Sequence, residues 1–280
     1  MDSGQYAIDR FDTILDQSAK YVKPYLPTLA RFLLCSTFLE DSVRIITRWD
    51  DQTYHLEHDQ GFSYHGTISF LVLNVMVMLT CSTLAILKKQ TDIAVGGLFA
   101  VVLSQCYGYG LYFNRSWMLR SISVSGGLLM LLADAMSARK KRELFAPLLT
   151  NSIGDATGSK GRKTSLLQLL GRSLLVALFL SFMFAGELSA ARLAVAAISF
   201  VGCVMVVVGF KAKWSAWVLL SFLCISNVVL NNWWTLHHED PKRDFQKFDF
   251  FQTLSVMGGF LLLVNSGPGG LSMDEKKKDY

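Results

Sequence analysis

The chain has 280 residues, of which 51% are hydrophobic and only 18% charged, and its mean hydropathy is +0.34. Soluble domains carry about 25% charged residues, so that class is excluded and a membrane protein is expected. The 27 Lys and Arg and 22 Asp and Glu, a net charge of +5, gather in short segments between nearly charge-free stretches, the pattern of repeated bilayer crossings.

Residues 1–26 are polar and show no cleavable signal peptide, so the N-terminus is expected to be retained. Ile8, Phe11, Ile14, Leu15 and Val22 recur there at helical spacing among charged residues. This predicts an amphipathic helix in the membrane interface, although packing of that face on the protein itself explains the pattern equally well. Hydropathy then places spans at 27–47, 65–87, 92–113, 116–136, 166–186, 189–210, 214–236 and 247–266. Each is long enough to cross about 30 Å of hydrocarbon at 1.5 Å per residue. The five cysteines all lie in apolar stretches without CxxC spacing, so they read as core residues rather than a disulfide framework or zinc site.

The Lys and Arg bias sets the orientation. With the N-terminus in the cytosol, the cytosolic segments hold seventeen of these residues and the opposite loops six, which places both termini in the cytosol. Ser123, Val124, Gly126, Gly127 and Leu128 of the fourth span return 132 positions later as Ser255, Val256, Gly258, Gly259 and Phe260. Less sharply, Arg31, Leu33, Leu34, Phe38 and Leu39 match Arg172, Leu174, Leu175, Phe179 and Leu180. An even number of spans between the copies makes them parallel. The expected fold is therefore all-α and polytopic, with about eight transmembrane helices in two parallel four-helix repeats. The first repeat would occupy 27–136 and the second 166–266, joined by a basic cytosolic linker, 137–165, and followed by a tail, 267–280.

Glu40 and Asp41 lie about 20 Å along the first span, in its lumenal third. A carboxylate at the bilayer centre costs about 2.5–3.5 kcal/mol on insertion scales, so two adjacent ones imply partners or a polar cavity. Arg44, one turn beyond Glu40, is placed to pair with it. The same orientation brings Gln105, Tyr107, Tyr109 and Tyr112 of the third span, and Asn227, Asn231 and Trp233 of the seventh, to the lumenal level. We expect a lumen-facing cavity, anionic at Glu40 and Asp41 and walled by aromatic and amide groups, suited to an extended peptide with a free amino group. An interfacial aromatic belt explains Trp233 and Trp234 but not the carboxylates.

The five histidines fall on or beside lumenal loops. A pH sensor is one reading and a metal site another, and solvated loop residues are the simpler one. Gly158, Gly161, Lys163 and Thr164 lack the spacing of a phosphate-binding loop, and the sequon at Asn114 sits too close to the membrane for modification. No catalytic pair, metal-ligand motif or cofactor fingerprint is present, so no enzyme, metal, cofactor or nucleic-acid partner is expected. At the end of the sequence Lys277 and Lys278 match the KKxx dilysine pattern of retrieved membrane proteins, with a plain basic juxtamembrane tail as the alternative.

The Asp12–Tyr25 stretch, the Arg31–Arg44 part of the first span, Asn231–Trp234, the Gly258–Gly259 helix and the dilysine tail together resemble the surfeit locus protein 4 family of ER-vesicle cargo receptors. The resemblance covers essentially the whole chain. It implies a receptor cycling between endoplasmic reticulum, intermediate compartment and cis-Golgi, which loads soluble secretory cargo through N-terminal signals into COPII vesicles and returns through COPI at Lys277 and Lys278. Among membrane lipids, a parallel repeat with intramembrane carboxylates also suits a small-solute or lipid transporter. That reading needs a polar path on the cytosolic side, where only Asp134 and Asn265 stand.

Overall fold

A computed structural model of the chain describes residues 25–110, 115–145, 166–176 apart from 168 and 175, 200–208, 212–237 and 241–266. Every element among them is helical: α1 (Leu26–Thr47), α2 (Trp49–His58), α3 (Tyr64–Ile86), α4 (Thr91–Gly108), α5 (Arg115–Phe145), α6 (Ala212–Leu230), a 3₁₀ turn (Trp233–Thr235) and α7 (Pro241–Ser266). Residues 169–174 and 200–208 are helical too. The expected N-terminal amphipathic helix, Tyr112 and the dilysine tail lie outside the described residues.

Among the described residues four helices are long and apolar enough to cross a membrane: Tyr64–Ile86, Thr91–Gly108, Ser215–Thr235 and Arg243–Asn265. These correspond to the second, third, seventh and eighth expected spans. Helix α1 has the length, at 22 residues, but carries Arg31, Glu40, Asp41 and Arg44. It nevertheless sits at the centre, packed against α3, α5 and, most extensively, α7. A helix so laden with charge is tolerable there because its polar face meets protein rather than hydrocarbon. Pro27 lies in its first turn, where a missing N–H leaves no hydrogen bond unmade.

The crossing of α1 and α7 is set by a glycine. A Cβ on Gly258 would lie 2.5 Å from the Leu34 backbone nitrogen and 2.6 Å from the Ala30 carbonyl oxygen, so only hydrogen fits between the two backbones. Ser255 Oγ donates to the Leu34 carbonyl at 2.8 Å beside it. An analogous close approach occurs at Gly171, whose Cβ would lie 3.1 Å from the Gly126 carbonyl oxygen.

At the Pro27 end of the bundle, buried Arg31 gathers three other helices. It donates to the Ala85 carbonyl at 3.2 Å, to Thr91 Oγ1 at 3.3 Å and to Asp134 Oδ2 at 2.7 Å. Fully buried Arg172 likewise donates to a helix carbonyl, that of Val206, at 3.3 Å. Thr91→Val removes one acceptor from Arg31 while keeping the side chain's shape. Denaturant titration in detergent should record a loss of about 1 kcal/mol, the net worth of one hydrogen bond.

Several boundaries differ from the hydropathy reading. The segment after α1, expected as loop, contains helix α2. Its Asp50 and Asp51 occupy the first turn and His55 and His58 the last, the charge order that favours a helix dipole. Helix α4 ends at Gly108, before the expected limit of 113, and Gly110 turns the chain with φ +61°. Helix α7 begins at Pro241 rather than 247, and its first turns are held by ion pairs to Glu40 of α1 and to Arg48 just beyond that helix.

Candidate functional site

Helix α1 presents consecutive residues about 100° apart, and this separates the two carboxylates. Asp41 faces α4 and α5, where a cavity of about 330 Å³ opens. The cavity is walled by Thr37, Phe38, Asp41 and Arg44 of α1, by Gln52 and His55 of α2 and by Val102, Gln105, Cys106 and the Tyr109 turn of α4. Ser121 and Val124 of α5 and Phe248 and Gln252 of α7 complete it.

Both Asp41 oxygens are engaged. Arg44 Nη2 donates to Oδ1 and Gln105 Nε2 to Oδ2. Helix α4 thereby supplies an amide to an acid 64 residues earlier, and both groups remain in the cavity wall. The Arg44 guanidinium stands over the Phe248 ring, 5.1 Å from its centroid, a cation–π contact that locates its plane. Across the cavity Tyr109 Oη donates to Gln52 Oε1 at 2.7 Å, and His55 stacks on Tyr109 with centroids 6.1 Å apart. His55 Nδ1 lies 2.5 Å from Asp59 Oδ2. Helix α2, absent from the hydropathy reading, thus forms one rim of the site.

Glu40 turns the other way, toward α7. Its side chain is 3% exposed, and Lys247 Nζ approaches Oε1 at 3.5 Å. Lys247 and Arg243 both stand near the Trp233 ring, 5.9 and 5.4 Å from its centroid. Arg48 pairs with Asp244 farther along the same seam. The expected pairing of Arg44 with Glu40 is therefore corrected: Arg44 pairs with Asp41, three residues before it, because both face the cavity while Glu40 faces Lys247. The expected anionic lining is corrected as well, since each carboxylate has a cation of its own.

The remaining predicted residues divide accordingly. Gln105 and Tyr109 join Asp41 and Arg44 at the cavity, whereas Tyr107 is 78% exposed on the outer face of α4. Asn227 donates to the Phe250 carbonyl at 3.2 Å, and Asn231 donates to Asn227 Oδ1 at 2.8 Å. These two buried amides join α6 to α7 and do not line the cavity. Trp233 belongs to the Glu40 seam. Phe248 and Gln252 escaped the sequence reading. Their i, i+4 spacing puts them on one face of α7, but nothing local says which face meets Asp41.

Among the described residues every element is helical, four helices are long and apolar enough to cross a membrane, and a cavity lined by both polar and apolar groups opens at one end of the bundle, which makes this a multi-pass helical membrane protein. The SURF4 family model matches residues 5–280, and the chain belongs to that family. It is 39% identical over 259 residues to the surfeit locus protein 4 homolog of Schizosaccharomyces pombe, covering 92% of this chain and 83% of that one. It is 37% identical to the ER-derived vesicles protein ERV29 of Saccharomyces cerevisiae, covering 97% and 83% of the two chains. The Drosophila melanogaster surfeit locus protein 4 homolog is 36% identical, with 98% and 97% covered. No solved structure matches.

Proposed function

We propose that this chain is a cargo receptor of the endoplasmic reticulum that binds the N-terminal segments of soluble secretory proteins in the lumen and loads them into vesicles bound for the Golgi. The observation that carries the reading is the cavity at Asp41: a buried carboxylate in the cavity wall, beside amide and aromatic groups, at the end of the bundle that the Lys and Arg bias assigns to the lumen. The relationship to a protein named for ER-derived vesicles supports the transport role. In this reading the cargo's α-ammonium pairs with Asp41 on its remaining lone pairs, and its first side chains pack against Phe38, Val102, Tyr109 and Phe248. Binding of one fluorescent hexapeptide in free-amino and N-acetylated forms to the purified receptor tests it. The free form is expected to bind at least about tenfold more tightly; equal binding of the two counts against the reading.

The cycle requires COPII and COPI partners on the cytosolic side, and both termini belong there in this proposal. Lys277 and Lys278 are the proposed COPI contact. Replacing both by serine should move the receptor from the endoplasmic reticulum to the Golgi and beyond, as seen by immunofluorescence, with peptide binding unchanged. An unaltered distribution removes the retrieval role from these lysines.

The same proposal keeps two parallel four-helix halves, 27–136 and 166–266, in a bundle of eight spans. Two pairs of contacts support it. Under the sequence match, the approach of Gly258 to Ala30 corresponds to that of Gly126 to Gly171, and the Arg31–Ala85 bond has a counterpart in Arg172–Val206. The first helix of each half would thus pack on the last helix of the other.

A further inference from the structure

Arg44 is not consumed by its ion pair. A guanidinium carries five N–H donors on a rigid fork, and among them Nη2 serves Asp41, while Nε is buried with no hydrogen-bond partner. Phe248 stands beneath the group and holds it at the cavity wall. Nε is sealed from the cavity, but the side chain as a whole is 29% exposed, so its other donors have open space beside them. The acceptor side is open as well: Asp41 takes one bond on each oxygen, out of about four lone-pair positions, and Gln105 uses its amide N–H on Asp41. Donors and acceptors therefore stand side by side on a pair whose net charge is zero.

That arrangement discriminates between ligands. A bare cation gains little, because Arg44 repels what Asp41 attracts. A chain terminus carries an ammonium and a carbonyl oxygen on the same residue, roughly 3 Å apart by standard backbone dimensions, and so satisfies both halves of the pair. Glu40 offers no equivalent, since it faces Lys247 outside the cavity.

We propose that Arg44 donates to the first carbonyl oxygen of the bound cargo terminus while Asp41 holds its ammonium, so that the pair reads the backbone of the N-terminal residue whatever its side chain. This rests on the peptide-receptor reading above and adds a specificity-determining contact to it.

The test uses the full-length receptor in nanodiscs and three hexapeptides: the parent with a free amino group, its N-acetyl form, and an analogue whose first amide is replaced by a trans-alkene. The alkene keeps the planar spacing and removes the carbonyl oxygen. In the unaltered receptor it should bind about tenfold more weakly than the parent, as expected for a hydrogen bond from a charged donor. In Arg44→Met the parent and the alkene should bind alike, whatever their common affinity, because the donor to the carbonyl is gone while the release of Asp41 acts on both peptides equally. Arg44→Lys keeps a positive partner for Asp41 but not the planar fork, so it gives the same reading if the methionine variant fails to fold. Equal binding of alkene and parent in the unaltered receptor, or losses that multiply in the Arg44 variants, overturns the proposal. Should the acetylated and free peptides bind alike, the receptor reading itself falls. A preserved preference for the free amino group without coupling to Arg44 removes only the carbonyl contact.

Discussion

Asp41→Asn is expected to lower the affinity for a free-amino hexapeptide at least about thirtyfold, because removing one partner of a partly desolvated charge pair costs about 2–5 kcal/mol. The amide keeps an acceptor for Arg44, so the fold should survive, and the acetylated peptide should bind as weakly as it does to the unaltered receptor. Asp41→Lys goes further and should abolish capture, since it places a second cation beside Arg44. Glu40→Gln provides the contrast. Its charge faces Lys247 across the α1–α7 seam rather than the cavity, so binding should change by less than about threefold while denaturant resistance falls. Isothermal titration of the three variants separates these outcomes. Equal losses at positions 40 and 41 mean that both acids serve the ligand and that the division seen here does not govern binding.

Gly258→Ala should be the most damaging alanine replacement among the glycines of the described residues. The added carbon would meet the backbone of α1 at Leu34 and Ala30, and backbone within a packed helix cannot turn aside as a side chain can. Overpacking of this kind costs about 3 kcal/mol, which is a large part of the stability of an ordinary domain. Because α1 carries Asp41, displacing it should also weaken peptide capture. Gly96→Ala is the control. A Cβ there meets nothing within 4 Å, and alanine in a helix interior should stabilise by about 0.5–1 kcal/mol. Unfolding in a denaturing detergent series measures both, and a Gly258→Ala protein as stable as the natural one would mean that the helices do not cross as described.

Much of this was legible in the residue order because of what a bilayer demands. Backbone polar groups in lipid must be satisfied within each segment, so helices announce themselves as apolar runs, and α3 and α4 begin within two residues of their expected starts. Charged residues in such runs are expensive. For that reason Asp41 and Arg44, with Gln105 as a polar residue in an apolar run, stood out as candidates before any contact was known. Helix α2 was not found in this way, since it is polar and short. Its signal lay in the acidic first turn and basic last turn, a cue of a few tenths of a kcal/mol per charge that hydropathy does not register.

The amino-acid order by itself determined the membrane class, the long apolar helices that the structure describes, the family and the level in the bundle at which the polar residues gather. It did not determine which of two neighbouring acids meets the cavity, or which cation each takes. A helix turns adjacent side chains about 100° apart, and whether a given side holds open space or a partner depends on helices that arrive 64 residues later, with Gln105, and more than 200 residues later, with Lys247. Only the packing of α4 and α7 around α1, fixed at Gly258 by backbone contact, decided that Asp41 opens onto the cavity and that Glu40 is closed off from it.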